Sequence, residues 1–173
     1  MKRWSVHILL LFLLLCISCH RGKQSYPPLM EQAVQLMETH PDSALACLDS
    51  LSISITEWPE EVQMYYKLLT VKAKDKLYIP ATSDTLINRI VRFYKDRQDD
   101  ARLMEAYYYK GSVYRDMEDA PRAVDAFQHA AEIGENCAND TLNGRIYGQL
   151  ASLFAFQGLY AESMKATKEA YKI

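Results

Sequence analysis

The chain repeats itself after 40 residues, and that constrains its fold more than anything else in the sequence. The segment from Tyr107, YYYKGSVYRDMEDAPRAVDAFQHAAEI, lies over the segment from Tyr147, YGQLASLFAFQGLYAESMKATKEAYKI. Tyr107, Gly111, Tyr114, Ala123, Phe127 and Ala130 fall on Tyr147, Ala151, Phe154, Ser163, Thr167 and Ala170. Steps of four and then three put the first three positions of each unit on one helical face, aromatic, small and aromatic in turn. Ala123, Phe127 and Ala130 do the same on a second helix. A repeat of this size cannot bury its own apolar face, so neighbouring units must stack. Six Gly and six Pro in 173 residues agree with an all-helical chain.

The turn between the two helices of the later unit reads QGLYAES, with Gly158 and Tyr160. The earlier unit has MEDAP there, with Asp119 placed to cap the next helix and Pro121 in its first turn. These residues resemble the tetratricopeptide repeat. The resemblance implies an all-α fold, an α-solenoid of about four antiparallel helix pairs wound into a right-handed superhelix across residues 29 to 173. Thr167 departs from the pattern, and the spacing of 40 exceeds the usual ~34; the segment GENCAND, residues 134 to 140, is expected to hold the extra length. Going backwards, Tyr66, Thr70 and Ala73 align with Tyr107, Gly111 and Tyr114 at an offset of 41, with Val62 and Leu69 on the same stripe and a partner helix on Leu86, Ile90 and Phe93 behind cap candidates Ser83 and Asp84. Before that come Leu29, Ala33, Leu36 and Met37, then Ala44, Leu48 and Leu51.

The N-terminus predicts an address. Lys2 and Arg3 precede an apolar run from Val6 to Ile17, shorter than the ~20 residues that span a bilayer as a helix. Small Ser18 stands before Cys19, and Leu15, Cys16, Ile17, Ser18, Cys19 resembles the bacterial lipobox, with Cys16 where an aliphatic residue is usual. The resemblance implies a lipoprotein signal peptide over residues 1 to 18 and lipidation of Cys19, with the lipid bilayer as a partner through that acyl anchor. Residues 19 to 28 are then expected to be a flexible spacer ending in two prolines. His20 after Cys19 favours the outer membrane, facing the periplasm, over the inner membrane. Together with LMETHPDSALACLDSL, the pattern is similar to exported repeat regions of Gram-negative gut bacteria.

Cleavage before Cys19 removes Lys2 and Arg3 from the 20 basic residues, leaves the 22 acidic ones, and moves the net charge from −2 to about −4. Nucleic acid is therefore not an expected partner. Cys47 and Cys137 are expected as two buried free thiols rather than a disulfide. No histidine pair has ligand spacing, and there is no phosphate loop, HExxH, GxSxG or CxxC. No catalysis, metal or cofactor is expected. The leading expectation is a scaffold that binds a protein or peptide; the alternatives are a glycan-binding outer-membrane lipoprotein and the periplasmic sensory segment of a membrane-crossing regulator. KATKEAYKI lacks the glycine cap or polar terminal helix that a solenoid normally needs, as a fragment or the first part of a longer protein would.

Helix rotation locates the expected groove. With Tyr107, Gly111 and Tyr114 inward, Tyr108, Ser112 and Arg115 lie about 100° further round, on the side that the resemblance makes concave. Their counterparts at the assigned offsets are Lys67, Val71 and Lys74, and Gly148, Ser152 and Ala155, with Arg145 on the same side. The expectation is a groove of Lys67, Lys74, Arg115 and Arg145 around an exposed Tyr108, offset in part by Asp75, Glu105 and Asp116, holding an extended segment with acidic groups or a free carboxylate.

Overall fold

A computed structural model describes residues 25 to 172. The signal segment and Cys19 lie outside the described residues. Within them the chain is all-α: α1 (Pro28–Leu36), α2 (Pro41–Leu51), α3 (Glu60–Lys76), α4 (Thr85–Arg97), α5 (Asp100–Asp116), α6 (Ala120–Gly134), α7 (Asp140–Phe156) and α8 (Tyr160–Lys172), with a 3-10 turn at Ile55–Glu57. No strand occurs among the described residues, and no helix there is long and apolar enough to cross a membrane.

Each helix packs on the one before it, and α3 also touches α5. Starts are set locally. Pro28, Pro41 and Pro121 occupy first turns, where a missing N–H costs nothing. Asp99, Asp119 and Asn139 accept from the backbone N–H groups of Arg102, Arg122 and Leu142, satisfying donors that a helix end would otherwise leave free.

The repeat is regular in its first helix and in what ends it. Helices α3, α5 and α7 each have 17 residues and begin at Glu60, Asp100 and Asp140. Forty residues apart, Tyr78, Glu118 and Gly158 adopt left-handed backbone with φ of 55°, 59° and 74°. The following N–H groups, of Ile79, Asp119 and Leu159, donate to the carbonyls of Lys74, Tyr114 and Phe154 at 3.0, 2.9 and 2.9 Å, the reversal that satisfies the last carbonyls of a helix. The offset of 41 assigned to the earlier unit is therefore corrected to 40: Tyr66 corresponds to Ala106 and Ile146, and Ala73 to Val113 and Leu153, all buried. Helix α3 is apolar on two sides. Val62, Tyr66, Leu69 and Ala73 face a core shared with α1 and α2, while Met64 and Leu68 belong to the core shared with α4 to α8. A helix walled on both sides has no single stripe to fix its register.

Three smaller corrections follow from burial. Met30 and Ile87 take the inward places expected for Leu29 and Leu86, which are exposed; adjacent residues differ by ~100° on a helix, and the helix start decides which one turns in. At the end of the segment expected as spacer, Tyr26 and Pro28 belong to the fold: α1 begins at Pro28, and the Tyr26 hydroxyl accepts from Arg102 Nη2 at 2.6 Å. The extra length of the repeat is not confined to residues 134 to 140: α5 and α7 run to 17 residues, and the α3–α4 connection, Leu77 to Asp84, is five residues longer than the one from Met117 to Asp119. A shorter α4 and a two-residue link at Gln98 and Asp99 restore the period.

Helices α5 and α6 meet closely at Gly111, where an added Cβ would stand 2.7 Å from the ring carbons of Phe127. Gly148 on α7 has nothing within 4 Å of the same position. Gly111→Ala should therefore cost about 1–3 kcal/mol by overpacking, while Gly148→Ala should gain up to about 1 kcal/mol of helix propensity. Thermal melting of the two variants beside the parent checks this, and melting shifts of the same sign would disprove it.

Candidate functional site: an ion-paired groove

The 40-residue register brings polar side chains of α3, α5 and α7 to a common side. Arg115 is the centre of one cluster. Its Nη2 lies 3.0 Å from Asp75 Oδ1 and 2.9 Å from Asp116 Oδ1, and its Nη1 donates to Gln149 Oε1 at 3.2 Å. Asp116 Oδ2 also accepts from the Ala81 backbone N–H. Burial disfavours the Arg115 charge, but the bonds from Asp116 and Asp75 outweigh it and hold the guanidinium's pKa above its ordinary value.

Glu38 is the centre of the second cluster, reaching in from the link between α1 and α2. Its carboxylate lies 2.7 Å from Lys76 Nζ, 2.8 Å from Arg145 Nη2 and 3.8 Å from Lys72 Nζ; Lys72 bonds Glu105 at 2.8 Å. Partial burial opposes ionisation of Glu38, yet the hydrogen bonds and charges of Arg145 and Lys76 win and hold its carboxyl at about 2. The Arg145 contact joins residues 107 apart in sequence. Between the clusters runs a groove of about 580 Å³, with Glu38, Lys76, Tyr78, Arg115 and Gln149 among its walls.

The expected residues are placed as follows. Arg115, Arg145 and Ser112 lie at or beside this groove, and Ser152, exposed on α7, donates to the Gly148 carbonyl. Tyr108 is not free: it is 6% exposed, packed edge-on against Tyr109 and Phe127 with centroids at 5.0 and 5.6 Å, and burial raises its phenol pKa. Lys67 is half-buried, its pKa pushed down by burial and then by Arg89 of α4, and is not part of the paired clusters. Under the corrected register Lys72 stands where Ser112 and Ser152 stand, so Lys72 and Lys76 are the groove lysines that the sequence offset missed; Lys74 lies in an adjoining pocket. The groove is not basic either. Lys72, Lys76, Arg115 and Arg145 are matched by Glu38, Asp75, Glu105 and Asp116. Among the packing positions, Gly111, Tyr114, Ala123, Phe127 and Ala130 are buried, and Tyr107, Tyr147, Ala151, Phe154 and Ala170 are half-buried.

Among the described residues no group of three or more His, Cys, Asp or Glu side chains is arranged to hold a metal. His129 stacks on Tyr107 with centroids at 5.1 Å, and Cys47 and Cys137 are free thiols, half-buried rather than buried as expected. The chain matches no protein-family model, no curated protein and no solved structure.

The Glu38 pair has a pH signature. Its folded pKa, about 2, is depressed below the ordinary 4.5, so its contribution is present in full above pH 4.5 and is lost as pH falls towards 2. The side chain is 50% exposed, which limits that contribution to about 1 kcal/mol or less. Urea unfolding of the parent and Glu38→Gln should show the parent more stable at pH 7 and the two converging near pH 2; a pH-independent difference would remove the assignment.

Proposed function

We propose that the chain is a non-catalytic interaction scaffold of the cell envelope, anchored by lipid at Cys19, whose helix pairs continue as a tetratricopeptide-like solenoid and hold an extended segment of a protein partner in the groove. The single observation that carries this reading is Tyr78. Its ring is 93% exposed on the groove wall, and its backbone sits in the left-handed region, φ 55°. A bulky residue there costs about 1–2 kcal/mol that glycine does not incur, and at the corresponding place of the last unit the chain has Gly158. An exposed aromatic kept at a strained position, with no intramolecular burial in return, is what a contact residue looks like.

Support for a scaffold over an enzyme comes from the polar groups themselves. Arginines and carboxylates along the groove are committed to one another, which stiffens the wall and, among the described residues, leaves no uncommitted acid and base facing each other there. The matched charges also change the expected partner: an acidic segment gains no net attraction here, and recognition rests on aromatic contact and hydrogen bonding along the wall. Outer-membrane location facing the periplasm follows from the lipobox resemblance and His20.

Two experiments test the reading. Cys19→Ala should give an uncleaved precursor that no longer incorporates labelled fatty acid; unchanged labelling refutes the anchor. Tyr78→Gly should leave melting unchanged or raise it by up to about 1 kcal/mol of stability, while removing partners recovered from envelope extract by the parent. An unchanged partner set with intact melting rules out this wall of the groove.

A further inference from the structure

We propose that the space between the end of α3, the Leu77 to Asp84 connection and α5 is a binding site for an aliphatic group that carries a carboxylate. The connection is five residues longer than its counterpart in the next unit. It is pinned rather than loose: Ala81 N–H donates to Asp116 at 3.1 Å, and Asp84 accepts from the Tyr114 hydroxyl at 3.2 Å and from Arg122 at 3.3 Å. Beneath it lies a pocket of about 230 Å³ whose apolar wall includes Val71, Ile79, Leu86, Ile87, Tyr109 and Val113. This is smaller than the ~300 Å³ at which ordinary ligand pockets begin and matches a single side-chain-sized group. Ile79 and Leu86 are exposed while facing that space, so the pocket has apolar surface to bury.

The polar groups give the charge. Asp75 and Asp116 line the pocket, but both are taken by Arg115, and Asp116 by Ala81 as well. What remains can donate. The Ser112 hydroxyl, on a residue 2% exposed, finds no hydrogen-bond partner among the described residues, an arrangement that costs free energy unless an acceptor is supplied. Lys74 also lines the pocket, is exposed, and makes no ion pair among the described residues, whereas Lys72 and Lys76 on the same helix are both paired. Apolar walls with one unmet buried hydroxyl and a lysine that has no ion-pair partner among the described residues call for an apolar body and an anionic acceptor. Two sources share that chemistry, a free branched short-chain acid and the last residue of a peptide with a free C-terminus. The pocket adjoins the groove through Asp75, Pro80 and Asp116, so a peptide could use both.

The test is a titration of the methyl-labelled chain with isocaproate, with isohexanol as the uncharged control, followed at the methyl signals of Val71, Ile87 and Val113. Saturable shifts confined to these signals are expected, with the alcohol weaker. Lys74→Gln, at an exposed position, should weaken the acid about threefold and leave the alcohol unchanged. Ser112→Ala removes an unpartnered hydroxyl, so it should not lower melting, and should also weaken the acid. A second arm uses acetyl-Gly-Gly-Leu and its C-terminal amide: tighter binding by the free-carboxyl peptide than by isocaproate assigns the pocket to peptide ends, and binding by isocaproate alone assigns it to a free acid. The free acid tests the pocket without the groove reading, and the peptide tests the two together. No saturable shift with either ligand, or equal binding of acid and alcohol unaffected by Lys74→Gln, overturns the proposal.

Discussion

The ring of Phe127 lying on Gly111 is the contact from which the rest of the arrangement follows. Phe127 is fully buried, and the residues around it on α6, Ala123, Ala126 and Ala130, are small and fully buried as well. Small side chains let α6 approach α5 until the ring lies on the Gly111 backbone, with Tyr108 edge-on beside it, so the glycine is required by space and not by backbone conformation. Removing the ring would cost about 3–5 kcal/mol by the usual cavity arithmetic, more than any surface ion pair of the groove contributes. Helix α6 lies tight against the Gly111 side of α5, and Ser112, Arg115 and Asp116, about 100°, 40° and 140° round the helix from Gly111, turn towards α3 and α7, where the polar clusters form.

The clusters are best understood as structure that uses charge to set distance. Arg115 is bound by carboxylates of α3 and α5 and by an amide of α7, and Glu38 ties the link between α1 and α2 to α3 and α7. In helices that pack mainly on their sequence neighbours, these contacts tie non-neighbouring ones together, beside the direct packing of α3 on α5. Each pair is half-exposed and contributes little stability alone; together they restrict the angle between the first helices and α7. A groove whose width depends on such pairs responds to pH and salt before the apolar core does, because screening and protonation act on the pairs first.

How much of this the sequence carried depends on which helix is considered. Gly111, Phe127 and the alanines of α6 are legible because α6 is apolar on one stripe, and a stripe has a phase. Helix α3 is apolar on two sides, so Leu68 and Leu69, or Tyr65 and Tyr66, offer equally good stripes one residue apart. That ambiguity moved the counterparts of Arg115 and Ser112 from Asp75 and Lys72 to Lys74 and Val71, and turned a balanced groove into a basic one on paper. Tyr108 was lost in a similar way: rotation about one helix axis places it away from Tyr107, but α5 is packed on several sides, and a residue turned away from one neighbour meets another. Glu38 could not have been found by local pattern at all, since its partner Arg145 is 107 residues distant.

The long α3–α4 connection shows why an irregular unit can be kept inside a regular array. Its five additional residues are offset by a shorter α4 and a short link to α5, so Glu60, Asp100 and Asp140 still begin their helices at a constant interval. What an array must conserve is the phase of the helices that carry the shared core, because a slip there moves every apolar side chain off its neighbour, whereas the reversal between two helices can vary as long as its ends stay fixed. The left-handed residue at Tyr78 fixes one end, and Asp84, held by Tyr114 and Arg122, fixes the other. Between these two fixed points the chain is free to differ from its sister turns without disturbing the core. That freedom is used to build a pocket and to hold an aromatic ring in the open, next to the groove that the conserved register creates.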